Sequence, residues 1–187
     1  GVLDDTVVIV TSDHGENLGE LGVIGDHSVA DHVTSRVPMI VRWPGVSQPG
    51  RVDTSLHYQT DLAATVLELT GGQVPPGWDG QSFADAFRAG ESRGRESVVV
   101  SQCCWACMRS VRWDDWLFVR SYHTGLKNYP ARMLFNVAAD PHELTDLAPT
   151  RGDLADRGQA ILDQWTADML AAADPSKQGK DVTVREV

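Results

Sequence analysis

The amino-acid sequence predicts an α/β core piece followed by a small antiparallel sheet and a long helix. Three observations carry this. Two continuously apolar, β-branched runs occupy 6–12 and 37–43, four shorter strand-like runs follow from Glu96, and an amphipathic stretch begins near Asp153. Unbroken apolar strands are expected where a sheet is covered on both faces, whereas short strands separated by turns build antiparallel meanders. Between the two regions, Thr60 or Asp61 can cap a helix running through Leu62, Val66, Leu67 and Leu69 to the stop at Gly71-Gly72. Residues 73–78 read as a Pro-rich loop and 82–88 as a short helix. The later strands fall at 98–100, 108–113, 116–122 and 132–137, with Asp114-Asp115 at a hairpin turn. In the last helix, Leu154, Ile161, Leu162, Trp165, Met169 and Leu170 point to the core, and the polar tail from Pro175 is expected to fray. The composition shift near Glu96 divides the chain into 1–95, an α/β piece, and 96–187, a subdomain of antiparallel strands and terminal helix.

Composition excludes several functions. With 187 residues and 42% hydrophobic content the chain can bury a sizeable core. No apolar run approaches the roughly 20 residues of a membrane helix, so no membrane partner is expected. A formal charge of −10 argues against a nucleic-acid partner, which would require clustered Lys and Arg. Any site for an anionic substrate must therefore be made locally positive by a metal, His or Arg.

The chemistry concentrates where the first strand ends, at Thr11-Ser12-Asp13-His14-Gly15-Glu16. Strand ends of α/β sheets are where sites are built, and an oxygen and a nitrogen ligand held side by side suit a divalent cation. Neighbours on a strand face opposite ways, so Asp13 and His14 converge only if the chain bends, which Gly15 permits. Taken alone, Asp-His-Gly reads equally well as a turn in which Asp13 caps backbone amides and His14 faces water. The continuation shifts the balance: Asn17-Leu18-Gly19-Glu20, Gly25-Asp26-His27, Asp31-His32, then Arg36-Val37-Pro38 leading to Trp43-Pro44-Gly45. This order resembles the sulfatases of the alkaline phosphatase superfamily. The likeness continues through Asp53, the Asp79-Gly80-Gln81-Ser82 turn and Asp140-Pro141-His142-Glu143-Leu144.

The resemblance implies an alkaline phosphatase-like sulfatase core fragment, followed by the small antiparallel sheet packed on its helix. It also implies a sulfuric ester hydrolase that acts on a sulfated small molecule or sulfated glycan. Asp13 and His14 would be metal ligands. Calcium is the first expectation for the divalent metal, with manganese or zinc as alternatives, although two protein ligands hold calcium poorly. His27 stands where most relatives carry a Lys against the sulfate, so it would donate to an ester oxygen or protonate the leaving alcohol. His32 is the second catalytic candidate. In two-metal phosphoester and phosphonate hydrolases and phosphoglycerate mutases of the superfamily, a His so placed binds a second metal, which makes His32 the position that separates the readings. Glu16 and Glu20 are loop braces or, more simply, solvated carboxylates.

The formylglycine nucleophile of sulfatases arises from Cys/Ser-x-Pro-x-Arg, upstream of Asp-His-Gly. Ser47-Gln48-Pro49-Gly50-Arg51 has that spelling but lies downstream, in a turn-forming stretch. The nucleophile is expected outside this chain, which reads as the C-terminal part of a larger enzyme, inactive alone and of unassigned compartment. Cys103 to Arg109 has the Cys-x5-Arg spacing of Cys-dependent phosphatases but lacks glycine and runs into strand-like residues, so the three cysteines default to packing. Trp105, Trp113, Trp116 and Tyr122 fill a core or line a cleft. A reading from another class makes the chain a binding or assembly module whose sheet edge pairs with a partner or, as a homo-oligomer, with a second copy.

Overall fold

The computed structural model describes residues 1–88, 93–104, 106–125 and 127–172. Eight strands and four α-helices follow in chain order: β1 (Val8–Thr11), β2 (Asn17–Leu18), β3 (Ile24–Asp26), α1 (His32–Ser35), β4 (Met39–Arg42), α2 (Gln59–Leu69), α3 (Ala84–Arg88), β5 (Val98–Cys103), β6 (Cys107–Trp113), β7 (Trp116–His123), β8 (Arg132–Asn136) and α4 (Gly152–Ala172). Trp105 and the tail from Pro175 lie outside the described residues. Backbone contacts group the chain into two compact units, Gly1–Ser12 with Pro38–Val98, and Asp13–Val37 with the residues from Val99 onward. No described helix is long and apolar enough to cross a membrane.

In the first unit β1 and β4 pair antiparallel, Val8 opposite Arg42 and Thr11 opposite Met39. Their apolar runs predict strands covered on both faces, yet Val10 is 52% and Ile40 66% exposed. Among the described residues β1 and β4 pair with no further strand, and the apolar runs encode a burial that these two strands alone do not supply. Helix α2 begins two to three residues earlier than its Thr60 or Asp61 cap predicts. Tyr58 is the N-cap, and Asp61, in the first turn, accepts from the Tyr58 amide at 2.7 Å. Asp61 is buried and also takes the Gln81 amide and two Arg95 nitrogens. Burial would raise its carboxyl, but the Arg95 guanidinium and the two amides outweigh it and hold the group below the ordinary range. The helix stops at Gly71, whose φ of 88° is left-handed, as its sequence predicts.

The second unit is built on the sheet β5-β6-β7-β8, antiparallel at its β6–β7 and β7–β8 pairs. The β6–β7 hairpin closes with Trp113 opposite Trp116 around Asp114, which takes a φ of 44° that Asp tolerates better than most residues. Side chains alternate between two buried faces. Val111, Trp113, Phe118 and Leu134 meet Ala155 and Leu162 of α4, with Leu154, Ile161 and Trp165 at the margin. Met108, Leu117, Val119, Met133 and Phe135 meet Val29 and Ala30, with Leu21 and Val23 beside them. The loop after β1 therefore covers the face that α4 leaves open. Met169, predicted to face the core, is 43% exposed: it continues the line of Ala155 and Leu162, but full burial along that line ends at Leu162.

At Gly158 the helix backbone lies directly on Phe118, and a Cβ would overlap the Phe118 Cβ and stand 2.6 Å from its Cγ. Alanine in a helix gains about 1 kcal/mol over glycine, whereas overpacking a core costs about 1–3 kcal/mol. Gly158→Ala is expected to lower the urea midpoint despite its better helix propensity; a midpoint at or above that of the parent would refute the contact.

Candidate metal centre

The strand-to-loop transition after β1 is held by a close backbone approach. The Gly15 amide donates to the Thr34 carbonyl at 2.8 Å, and a Cβ at Gly15 would overlap the Val33 carbonyl oxygen. Glycine is thus required here for proximity, since its φ is not left-handed, and the bend expected of it is a contact instead. The loop then forms the short β2–β3 hairpin, Asn17 opposite Asp26, and turns into α1. Asp31 caps α1 by accepting the Thr34 amide at 2.9 Å and is completely buried. Its carboxylate also accepts from the Thr34 hydroxyl and from the side-chain amide of buried Asn17.

This scaffold brings His14 and His27 together. Their rings stack with centroids 3.7 Å apart and planes at 22°. Glu16 Oε2 lies 3.9 Å from His27 Nδ1, and Asp13 Oδ2 lies 3.8 Å from His14 Nε2. Among the described residues, the group of three or more His, Cys, Asp or Glu side chains able to converge on one ion is His14, Glu16 and His27, with ligand atoms all within 4.8 Å of one another. The predicted pair Asp13 and His14 is adjacent, but Asp13 stands at the rim with its side chain 86% exposed. Glu16, read from sequence as a brace or a solvated carboxylate, belongs to the cluster.

The tautomer of His14 follows from its neighbour. Nδ1 is 2.7 Å from the Gly15 carbonyl oxygen, which can only accept. In the neutral ring Nδ1 therefore carries the hydrogen, and Nε2 keeps the lone pair a metal needs. His27 is fixed by its backbone: its amide donates to Asp26 Oδ1 at 2.7 Å, and its carbonyl accepts from Gln102 at 2.8 Å. The residues present thus fit a divalent cation.

His32, the remaining predicted residue, is not in this cluster. It opens α1, with its amide donating to Glu143 Oε1 at 2.7 Å. Burial, reinforced by the charges of Arg112 and Arg36, pushes its imidazole down to about 4. Glu143 was invisible to sequence reasoning beyond its place in the Asp140-Pro141-His142-Glu143 run. It is 4% exposed, has a φ of 54°, and leaves Oε2 without a hydrogen-bond partner among the described residues. Burial pushes its carboxyl up to about 8; the His32 amide opposes this, and Asp31, Asp140 and Glu20 add to it. Glu20 is a buried brace, accepting from the Leu18 amide and bonding His142 Nδ1, both at 2.8 Å. That bond to His142 holds the Glu20 carboxyl below its usual range.

The other candidates resolve as packing. Ser47 closes the turn after β4 by accepting the Trp43 amide at 2.7 Å. Arg109 of β6 donates from Nε to Ser101 Oγ on β5 and lies over the Trp165 ring of α4. Trp113 is buried under α4, and Trp116 packs at the margin of the same core.

Known proteins similar to this chain include sulfatases and a phosphonate monoester hydrolase. Residues 1–72 match the Sulfatase family model. The choline-sulfatase of Rhizobium meliloti is 31% identical over 191 aligned positions that take in 99% of this chain and 34% of that protein. A structure solved with its substrate D-glucosamine-2-N,6-O-disulfate superposes with a TM-score of 0.76 at 20% identity, over 100% of this chain and 37% of the other. The phosphonate monoester hydrolase of Silicibacter pomeroyi superposes with a TM-score of 0.68 at 23% identity, over 93% and 36%. The fold is that of the alkaline phosphatase-like enzymes. Together the matches place the chain in the sulfatase/alkaline phosphatase superfamily, with residues 1–72 carrying the likeness to the Sulfatase family. It spans about a third or less of the length of the curated relatives it matches.

Glu143 and His32 together set a pH dependence. The ordinary values are 4.5 for the carboxyl and 6.5 for the imidazole. Between those values the unfolded chain carries one proton on His32 and the folded chain one on Glu143, so stability does not change with pH. Above 6.5 only folded Glu143 holds a proton, so stability falls by about 1.4 kcal/mol per pH unit until the carboxyl ionises near 8. Urea midpoints measured from pH 6 to 8.5 should show this decline, and Glu143→Gln, uncharged throughout, should flatten it. An unchanged slope in the variant would assign the decline elsewhere.

Proposed function

We propose that this chain supplies the cation-binding strand end of a metal-dependent sulfatase that cleaves sulfate monoesters. The observation that carries the reading is the delivery of Asp13 and His14 from the end of β1 into a loop whose Gly15 is packed against Val33 and Thr34, with His14 Nδ1 on the Gly15 carbonyl and Nε2 3.8 Å from Asp13 Oδ2. A bound divalent cation would neutralise the ester oxygens and polarise the sulfur–oxygen bond as charge develops on the leaving alcohol. Asp13 and His14 hold it, the Gly15 carbonyl orients the imidazole, and the Asp31 and Glu143 attachments keep the loop in place while substrate binds. The formylglycine nucleophile is expected from residues other than these 187, because Ser47 is tied into its turn and lies after the Asp13-His14 strand end. The substrate class is a sulfated small molecule or glycan, a reading supported by the names of the choline-sulfatase and of the glucosamine disulfate complex.

The phosphonate monoester hydrolase among the structural relatives favours a second reading, phosphoester or phosphonate hydrolysis. The two-metal version of it is disfavoured by His32, which lies outside the cluster and faces the positive charges of Arg112 and Arg36.

The 187-residue chain should bind a divalent cation, measured by equilibrium dialysis with elemental analysis, and should lose it on Asp13→Ala or His14→Ala. It should not turn over an aryl sulfate. Retention of the cation by both variants would remove the site, and metal-dependent hydrolysis by the chain would show that the nucleophile lies within it.

A further inference from the structure

We infer that Cys103 and Cys104 form a two-thiol site that takes up a monosubstituted trivalent arsenical as a chelate. The cysteines, expected from sequence to pack, divide in the structure: Cys107 is 3% exposed, whereas Cys103 and Cys104 are both exposed. The pair lies at the end of β5, within the second unit, and the inference is independent of the cation reading.

Two thiols on adjacent residues can close on each other or hold a third atom between them, and geometry separates the two outcomes. Consecutive α-carbons across a trans peptide lie about 3.8 Å apart, short of the roughly 4.4–6.8 Å that disulfides span. An S–S bond of about 2.05 Å between neighbours is therefore strained and readily reduced. A bridging atom with bonds of about 2.3 Å instead holds the sulfurs roughly 3.3–3.8 Å apart, which rotation about each Cα–Cβ bond supplies. The backbone that carries the thiols is already ordered. The Cys103 amide donates to Gln102 Oε1 at 3.0 Å, and the Cys104 amide donates to the Ala106 carbonyl at 3.2 Å. Gln102 is in turn tied at its far end, where Nε2 donates to the His27 carbonyl at 2.8 Å. Chelation thus orders two short side chains and little else, which keeps its entropic cost low.

The number of donors selects the ligand. Thiolates favour soft centres. Zinc asks for four ligands in a closed site, and among the described residues no third His, Cys, Asp or Glu converges with this pair. A trivalent arsenic that already carries one carbon substituent needs only two more bonds, and the two sulfurs complete its valence. The step joins R–As=O and two thiols into a cyclic dithioarsonite and water. Two S–H bonds and the bonds between arsenic and oxygen break, two As–S bonds form, both thiol protons leave on the oxygen, and no atom changes oxidation state.

The test incubates the full 187-residue chain with phenylarsine oxide in an excess of a monothiol and reads the adduct by intact mass. One arsenical per chain is expected, persisting against the monothiol and removed by 2,3-dimercaptopropanol, because only another dithiol competes with two sulfurs held on one backbone. Apparent affinity should fall at least about a hundredfold in Cys103→Ser and in Cys104→Ser, the loss of a second, intramolecular attachment, and should be unchanged in Cys107→Ala. Circular dichroism checks that each variant folds, and Cys107→Ser replaces Cys107→Ala if the latter does not. Absence of an adduct on the parent chain, its removal by the monothiol alone, or its survival in either Cys103→Ser or Cys104→Ser would overturn the inference. Loss of the adduct in a folded Cys107 variant would overturn it as well, since the buried thiol would then be one of the two sulfurs.

Discussion

The four-stranded sheet has two apolar faces and, among the described residues, one long helix packed on it, and the rest of the second unit follows from that imbalance. Helix α4 covers the face carrying Val111, Trp113, Phe118 and Leu134. The opposite face, with Met108, Leu117, Val119 and Phe135, would lie bare without the segment between Asp13 and Val37, which sets Val29 and Ala30 on it. Exposing several core side chains would cost on the order of 1.5–3 kcal/mol each, more than a polar loop could recover by moving in solvent. The loop that bears the candidate metal ligands is therefore part of the core by its inner side and a site by its outer side.

Hydrogen bonds then fix what apolar packing, which is non-directional, leaves undetermined. Tyr129 donates to the Leu21 carbonyl, Lys127 to the Gly22 carbonyl and Gln102 to the His27 carbonyl, while Glu143 accepts the His32 amide and Glu20 meets His142. Each joins the loop to a residue of the C-terminal subdomain. Inside the loop, buried Asp31 gathers Asn17 and Thr34. A buried carboxylate satisfied from several sides is costly to disrupt, so this node resists rearrangement of the turn that presents His14. The C-terminal sheet, which holds none of the candidate ligands, is thus the platform that orients them.

Sequence reasoning recovered the parts governed by local rules. The turn at Asp114, the glycine stop of α2 and the period of α4 are encoded within a few residues, and the strands of the second unit were legible from their turns. The exposure of β1 and β4 was not legible, because unbroken Val and Ile runs encode intended burial whatever neighbours are present. Nor was the covering of the sheet by the loop: Leu21, Val23, Val29 and Ala30 lie in a stretch without period, so nothing marks them as core. Near the strand end, Asp13, His14 and His27 stand out by motif spacing, whereas Glu20 and Glu143 resemble surface acids until their partners are seen. Glu20 finds His142 across 122 positions and Glu143 finds His32 across 111, and no short-range pattern encodes such a pairing.

The anchors share a chemical economy that bears on function. At Leu21, Gly22, His27 and His32 the attachment is made to backbone groups, so the chain is held without committing the side chains at those positions. His27 shows the consequence most clearly. Both its amide and its carbonyl are engaged, yet its imidazole lies against His14 and within reach of Glu16. Changing the side chain at such a position alters the chemistry without releasing the loop. The path of the loop is therefore set by the sheet beneath it rather than by the side chain at position 27.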